Sequence, residues 1–182
     1  MLITYKKIII ISCIVCILLG VLLHFAFNFS NSNKIVGIFT PVNESVWEHL
    51  KLIFIPFTLF SIFFYIITKK KFSNIFLVTF LANICGMFFI VAMNLLQTLL
   101  FTSHSAIFSI ISYILSMILC FYIFYLGIYN EDFIKDTKNS NLLGVAAIIL
   151  FFVFFAFNTF YPLRINIMKD PITKTYGINR YV

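Results

Sequence analysis

Charge is what this chain has least of. Only 10% of its 182 residues are Asp, Glu, Lys or Arg, and none lies between residues 72 and 130. Acids are the scarcer sign, six against thirteen bases, and three of them, Glu131, Asp132 and Asp136, crowd into one short stretch. A proton pump or carboxylate-lined ion path needs an ionisable acid deep in the bilayer. None of the acids stands inside a long apolar run, which argues against both. The four cysteines, Cys13, Cys16, Cys85 and Cys120, all sit in apolar runs, so no disulfide framework follows from them. Cys13-x-x-Cys16 has a metal or redox spacing, but without polar neighbours the pair reads as two small hydrophobes. Internal repeats are absent as well, and an inverted-repeat transporter gains no support.

What is present is apolar. Hydrophobic residues make up 62% of the chain, and the mean hydropathy of +1.06 removes the soluble option. A membrane-crossing helix needs about 20 mostly apolar residues. The charge-free stretch is too long for one crossing and suits two, divided at the polar Thr102-Ser103-His104-Ser105. Spans are expected at about residues 8–27, 52–67, 72–101, 106–127 and 142–161, with 162–182 as a tail. The fold class is therefore all-α, a polytopic transmembrane helix bundle of about five spans forming a single integral membrane domain over residues 1–182. The apolar run after Lys6-Lys7 is followed by no small-x-small cleavage site, so an uncleaved signal anchor is expected.

Basic residues at span ends set topology. Lys6 and Lys7 place the N-terminus inside, and Lys69, Lys70 and Lys71 cap the return of span two. Lys135 and Lys138 also fall inside, against Lys34, Lys51, Arg164, Lys169, Lys174 and Arg180 outside. The bias is slight, and the four bases of the tail oppose it. A net charge of +7 could suggest nucleic acid, but no segment outside the spans is long enough to fold a basic reading surface. The partner is the lipid bilayer and its anionic headgroups. A bacterial cytoplasmic membrane is the expected location.

Two spans carry helical-period patterns. In span three, Thr79, Asn83, Gly86, Asn94 and Gln97 fall on one face at about 100° per residue. Amides facing lipid would go unpaired, so this face should point into the bundle. It reads either as interhelical hydrogen bonding or as the polar path of a small transporter. In span four, Ser105, Ser109, Ser112, Ser116 and Cys120 form a ridge suited to close packing. The 25 phenylalanines read as lipid-facing bulk.

Chemistry is dense in one run, Asn43-Glu44-Ser45-Val46-Trp47-Glu48-His49-Leu50-Lys51. Asn43 suits a helix cap, with the helix continuing into span two. Glu44, Trp47, Glu48 and Lys51 share one broad helical face, and Ser45 and His49 share an adjacent one. Two readings stay open. In the first, Trp47 anchors at the interface, Lys51 snorkels to the headgroups, and an exposed Glu48–Lys51 pair contributes tenths of a kcal/mol. In the second, Glu48 and His49, with His24 or His104, hold a divalent metal or act as acid and base. All three histidines fall on the outer side of the expected topology, as do Glu44, Glu48 and Asp170. Beyond such a metal no cofactor is called for. Asp170-Pro171 is a turn signal, and the tail around it should dock over the run.

At these segments the sequence resembles a family of small multi-pass bacterial membrane proteins of unknown function. The likeness rests on residues 43–51, on Asp170-Pro171…Tyr176-Gly177-Ile178 and on His24. It implies the membrane fold and marks these residues as a signature, but carries over no activity. The reading is an integral membrane protein with a polar outward-facing pocket, for a ligand, a lipid headgroup or a partner. Its ligand candidates are His24, Asn43, Glu44, Trp47, Glu48, His49, Lys51, Asn94, His104 and Asp170. A hydrolase or transferase using Glu48 and His49 is the alternative, and a transporter using span three the second.

Overall fold

The structure, a computed structural model, describes residues 2–68, 71–72, 74–100, 105–130 and 139–178. The expectations that fall on Lys69, Lys70, Thr102, Ser103, His104, the acidic loop 131–138 and residues 179–182 therefore lie outside it. Among the described residues seven α-helices follow one another: α1 (Leu2–Phe29), α2 (Lys34–Phe39), α3 (Val46–His49), α4 (Lys51–Ile67), α5 (Ile75–Leu100), α6 (Ala106–Tyr129) and α7 (Ser140–Phe160). Five stretches of the described residues are long and apolar enough to cross a membrane: Tyr5–Phe29, Val46–Ile67, Ile75–Leu100, Ala106–Tyr129 and Ser140–Phe160. Lipid offers no partner to a backbone N–H or C=O, so an apolar chain there satisfies its own groups as helix. The all-α bundle is as expected. Span two begins earlier than residue 52, because α3 runs almost without a break into α4 through Leu50, which keeps helical dihedrals.

Helix α5 is the centre, packed against α4, α6 and α7, while α1 lies along α4 and α6. Small residues let these backbones approach. A Cβ on Gly86 would collide with the Cys120 sulfur, and one on Gly144 would collide with the backbone of Phe76 and Leu77. The serine ridge of α6 is a packing seam: Ser116 Oγ donates to Gly86 O at 2.6 Å and Cys120 Sγ to Ala82 O at 3.3 Å. The α5 stripe is buried at Thr79, Asn83, Gly86 and Gln97, while Asn94 is half-buried. Asn83 Nδ2 donates to Thr58 Oγ1 at 3.3 Å and Gln97 Nε2 to Ser105 O at 2.8 Å. Cys16 is a small buried donor, its Sγ 3.4 Å from Pro56 O, and all four cysteines are free.

The phenylalanines correct one expectation. Many do face outward, but Phe54, Phe57, Phe64, Phe124 and Phe155 are fully buried. Phe60 and Phe121 lie 4.6 Å apart between ring centroids, and Phe57 meets Phe121 edge-on at 5.0 Å. Between helices in lipid the hydrophobic effect is weak, and interlocking van der Waals and aromatic contacts replace it.

Beyond α1 the chain reverses sharply. Asn31 and Ser32 adopt left-handed backbone, φ 53° and 58°, and Asn33 Oδ1 then caps α2 by accepting from Ile35 N at 2.9 Å. This reversal lays α2 against α1 and α7. After α7 the tail forms a 3₁₀ turn at Asn166–Met168 and a single antiparallel bridge, Lys169 with Tyr176. Among the described residues it adds no sixth crossing.

Candidate functional site

The dense run is assembled around Ser45. Its Oγ accepts from Glu48 N at 3.3 Å and caps α3, displacing Asn43 from the role its residue type suggested. Asn43 works one step earlier. Its Oδ1 accepts from Ser45 N at 2.9 Å, and its Nδ2 donates to Gly177 O at 2.9 Å, tying the loop to the tail. The signal for the true cap was in the sequence, since Ser45-x-x-Glu48 has the spacing of a capping box.

Below the cap lies an ion pair whose burial overturns the snorkelling of Lys51. The Lys51 ammonium is 0% exposed and sits 2.7 Å from Glu48 Oε2, whose side chain is 1% exposed. Lys51 Nζ also reaches Gly37 O at 2.9 Å, Thr40 O at 3.3 Å and Thr159 Oγ1 at 2.6 Å. Glu48 Oε2 accepts in addition from Val42 N at 3.2 Å, and Thr159 Oγ1 lies 3.5 Å from Glu48 Oε1. An ammonium buried without partners would be prohibitive; here every N–H finds an oxygen. Snorkelling fails because α2 folds back over this point and closes the path to the headgroups. The pair is therefore not the exposed contact worth tenths of a kcal/mol that its i,i+3 spacing suggested. It fastens α2, α3, α4 and α7 together. Thr159 and the Gly37 and Thr40 carbonyls are the residues that sequence reasoning missed, and no local signal marks them.

On the other side of α3 stands a second group, open to solvent. His49 Nε2 lies 3.4 Å from Glu44 Oε2, with side-chain exposures of 27% and 45%. The other ring nitrogen, His49 Nδ1, is 2.8 Å from Ser45 O. A carbonyl only accepts, so Nδ1 carries the proton there. The His24 ring, from the last turns of α1, stacks beside His49 with centroids 5.1 Å apart. One ligand-capable atom each from His24, Glu44 and His49 falls within 4.8 Å of the others. Glu44 is held below its ordinary carboxylate value, first by the hydrogen bond with His49 and against its partial burial.

The tail docks beside this group, on the backbone of Glu44 and the side chain of Asn43. Asp170, buried, accepts at Oδ1 from Ile172 N at 2.7 Å and Thr173 N at 3.1 Å, and at Oδ2 from Glu44 N at 3.3 Å. Burial pushes its pKa up, but these N–H donors outweigh that and hold it below the usual value. Gly177, at φ +59°, lets the chain turn so that Ile178 N reaches Thr159 O at 2.9 Å. Trp47 packs into the bundle, tilted against Phe155 at 4.9 Å and edge-on to Phe154 at 5.4 Å.

Of the residues proposed from sequence, the structure gathers His24, Asn43, Glu44, Trp47, Glu48, His49, Lys51 and Asp170 at one end of the bundle. Glu48 turns away from the histidines toward Lys51, and Glu44 takes the place beside them. Asn94 is half-buried on α5 and makes none of these contacts, and His104 lies outside the described residues. Among the described residues three buried polar atoms at this end, His24 Nδ1, Trp47 Nε1 and Asn158 Oδ1, have no hydrogen-bond partner, and the same holds for Asn83 Oδ1 and Tyr129 Oη elsewhere in the bundle. The sequence model of a family of unknown function (DUF6512) matches residues 1–178. No curated protein and no solved structure matches the chain.

Proposed function

The chain belongs to that family of unknown function, and from the geometry of its own residues we propose that it is a ligand-binding protein of the bacterial cytoplasmic membrane. It holds a small polar pocket on the extracytoplasmic side, walled by His24, Glu44 and His49 and bordered by the tail. One observation carries the reading. The half-exposed His24–Glu44–His49 group brings one ligand-capable atom from each residue within 4.8 Å of the others, with the buried His24 Nδ1 without a partner, next to an ion pair that is fully satisfied. Buried polar groups are hydrogen-bonded in the great majority of structures, and a partnerless ring nitrogen within a cluster of donors asks for a partner. The Glu48–Lys51 pair supplies the rigid floor, because its four partners lock the elements that carry the pocket.

Support for the enzyme alternative is weaker, since the Glu48 carboxylate is already engaged by Lys51 and by Val42 N–H. The α5 stripe supports packing rather than transport, since Asn83 and Gln97 are bonded to neighbouring elements. Native mass spectrometry on the chain purified in mild detergent tests the proposal. A bound non-protein mass, lost in His49→Ala, is expected; identical spectra without any adduct would overturn it.

A further inference from the structure

We infer that His24, Glu44 and His49 form a binding site for a divalent first-row transition metal, zinc being the best fit. The inference rests on the pocket reading above and names its ligand. Two imidazoles and one carboxylate are donors that zinc takes at open sites, where three protein ligands leave a fourth position for water or a ligand atom. With bonds of about 2.0–2.1 Å, neighbouring donors of a tetrahedron lie about 3.3 Å apart. The His49 Nε2 to Glu44 Oε2 separation of 3.4 Å is already such an edge.

The hydrogen bonding of His49 points the same way. Its Nδ1–H donates to Ser45 O at 2.8 Å, the outer contact by which metal-ligating histidines are oriented and their tautomer set. That leaves Nε2 facing a carboxylate. Two lone pairs cannot sit at 3.4 Å without something positive between them, so the position takes either a second proton or a cation. His24 completes the set at small cost. Its donor lies within 4.8 Å of the others, its Nδ1 has no partner to lose, and the terminal torsion of a histidine ring is broad.

Surrounding charge favours the cation. The Asp170 carboxylate binds the backbone N–H of Glu44 itself, at 3.3 Å. The Lys51 ammonium is neutralised by Glu48 at 2.7 Å and faces the opposite way. Glu44 and His49 reach solvent, which gives an ion an entry path.

The test uses the full chain, purified in detergent, stripped with a chelator and titrated with cobalt(II) as the visible probe, then with zinc. One equivalent per chain is expected, with the absorption of a tetrahedral cobalt site that zinc abolishes. Glu44→Gln and His49→Ala should each weaken binding at least about tenfold, whereas Asn94→Ala, on α5 and outside these contacts, should leave the spectrum in place. Glu44→Gln sits at an exposed position and keeps the fold, as circular dichroism would verify, so a lost signal in that variant cannot be charged to unfolding. An absent cobalt signal, leaving only an imidazolium–carboxylate pair, overturns the metal site, as does a signal that survives both substitutions. A non-metal adduct lost in His49→Ala alongside silent cobalt would sink the metal and leave the pocket standing.

Discussion

Lys51 is the residue on which this end of the molecule turns. An ammonium of zero exposure is tolerable only with partners on all sides, and it has a carboxylate, a hydroxyl and two carbonyls. Removing one member of a buried pair leaves the other charge stranded, at a cost of about 3–5 kcal/mol, whereas replacing both is often close to neutral. Lys51→Met should therefore lower stability by about that amount. The double variant Glu48→Gln, Lys51→Met should recover a substantial part of the loss, read from unfolding midpoints in detergent. A single variant as stable as the parent would show that the pair does not hold the elements together. Glu44 shows how far the local sequence reaches. Glu44 and Glu48 are four residues apart and would share one face of a regular helix. The helix begins only after Ser45, however, so Glu44 is off its axis and turns to His49 while Glu48 turns inward.

At the scale of elements, α3 and the tail make one unit. The tail is held by Asn43 through Gly177 O, by Glu44 N through Asp170, and by Thr159 O through Ile178 N. Asp170 is the titrating member, and its folded pKa lies below the ordinary 3.8. A carboxylate so shifted stabilises the docked tail fully above its unfolded value, and the contribution is lost as pH falls through the lowered one. Hydrogen-exchange protection of the Ile172 and Thr173 amides, corrected for intrinsic rates, should hold steady from about pH 7 to 5 and fall below about pH 4. Glu44 faces the same region and is also depressed by its bond to His49, so Asp170→Asn is the discriminating variant. It should show lower protection without the acid step. Protection flat down to about pH 2 in the parent chain would contradict the linkage.

Across the whole molecule, the site and the ends of α1, α2 and α7 share one end of the bundle, opposite the end that carries Lys6. Lys6 lies there over the rings of Tyr125 and Tyr129, at 5.3 and 6.0 Å. The proposed orientation puts the Lys6 end in the cytoplasm, where basic residues accumulate. Lys34→Cys, exposed in the first turn of α2, should then react with a membrane-impermeant maleimide on intact cells. The native cysteines lie at lipid depth and stay silent. Labelling that appears only after lysis would reverse the orientation and put the pocket inside.

By itself the sequence determined the number of spans, their helical nature and the inward aim of most of the α5 stripe. Lipid enforces those outcomes locally: a charge-free run of sufficient length has no other way to satisfy its backbone, and an amide there no other place to turn. The run at residues 43–51 was legible as a site for the same reason, being polar where its surroundings are not. Only the tertiary structure decided which carboxylate meets which cation. That choice depends on the left-handed reversal at Asn31 and Ser32, which brings the carbonyls of Gly37 and Thr40 onto Lys51. It depends equally on Thr159, more than a hundred residues away in the chain and 2.6 Å away in space. Spacing along a helix specifies a face, but what covers that face is set by segments whose approach no local periodicity encodes.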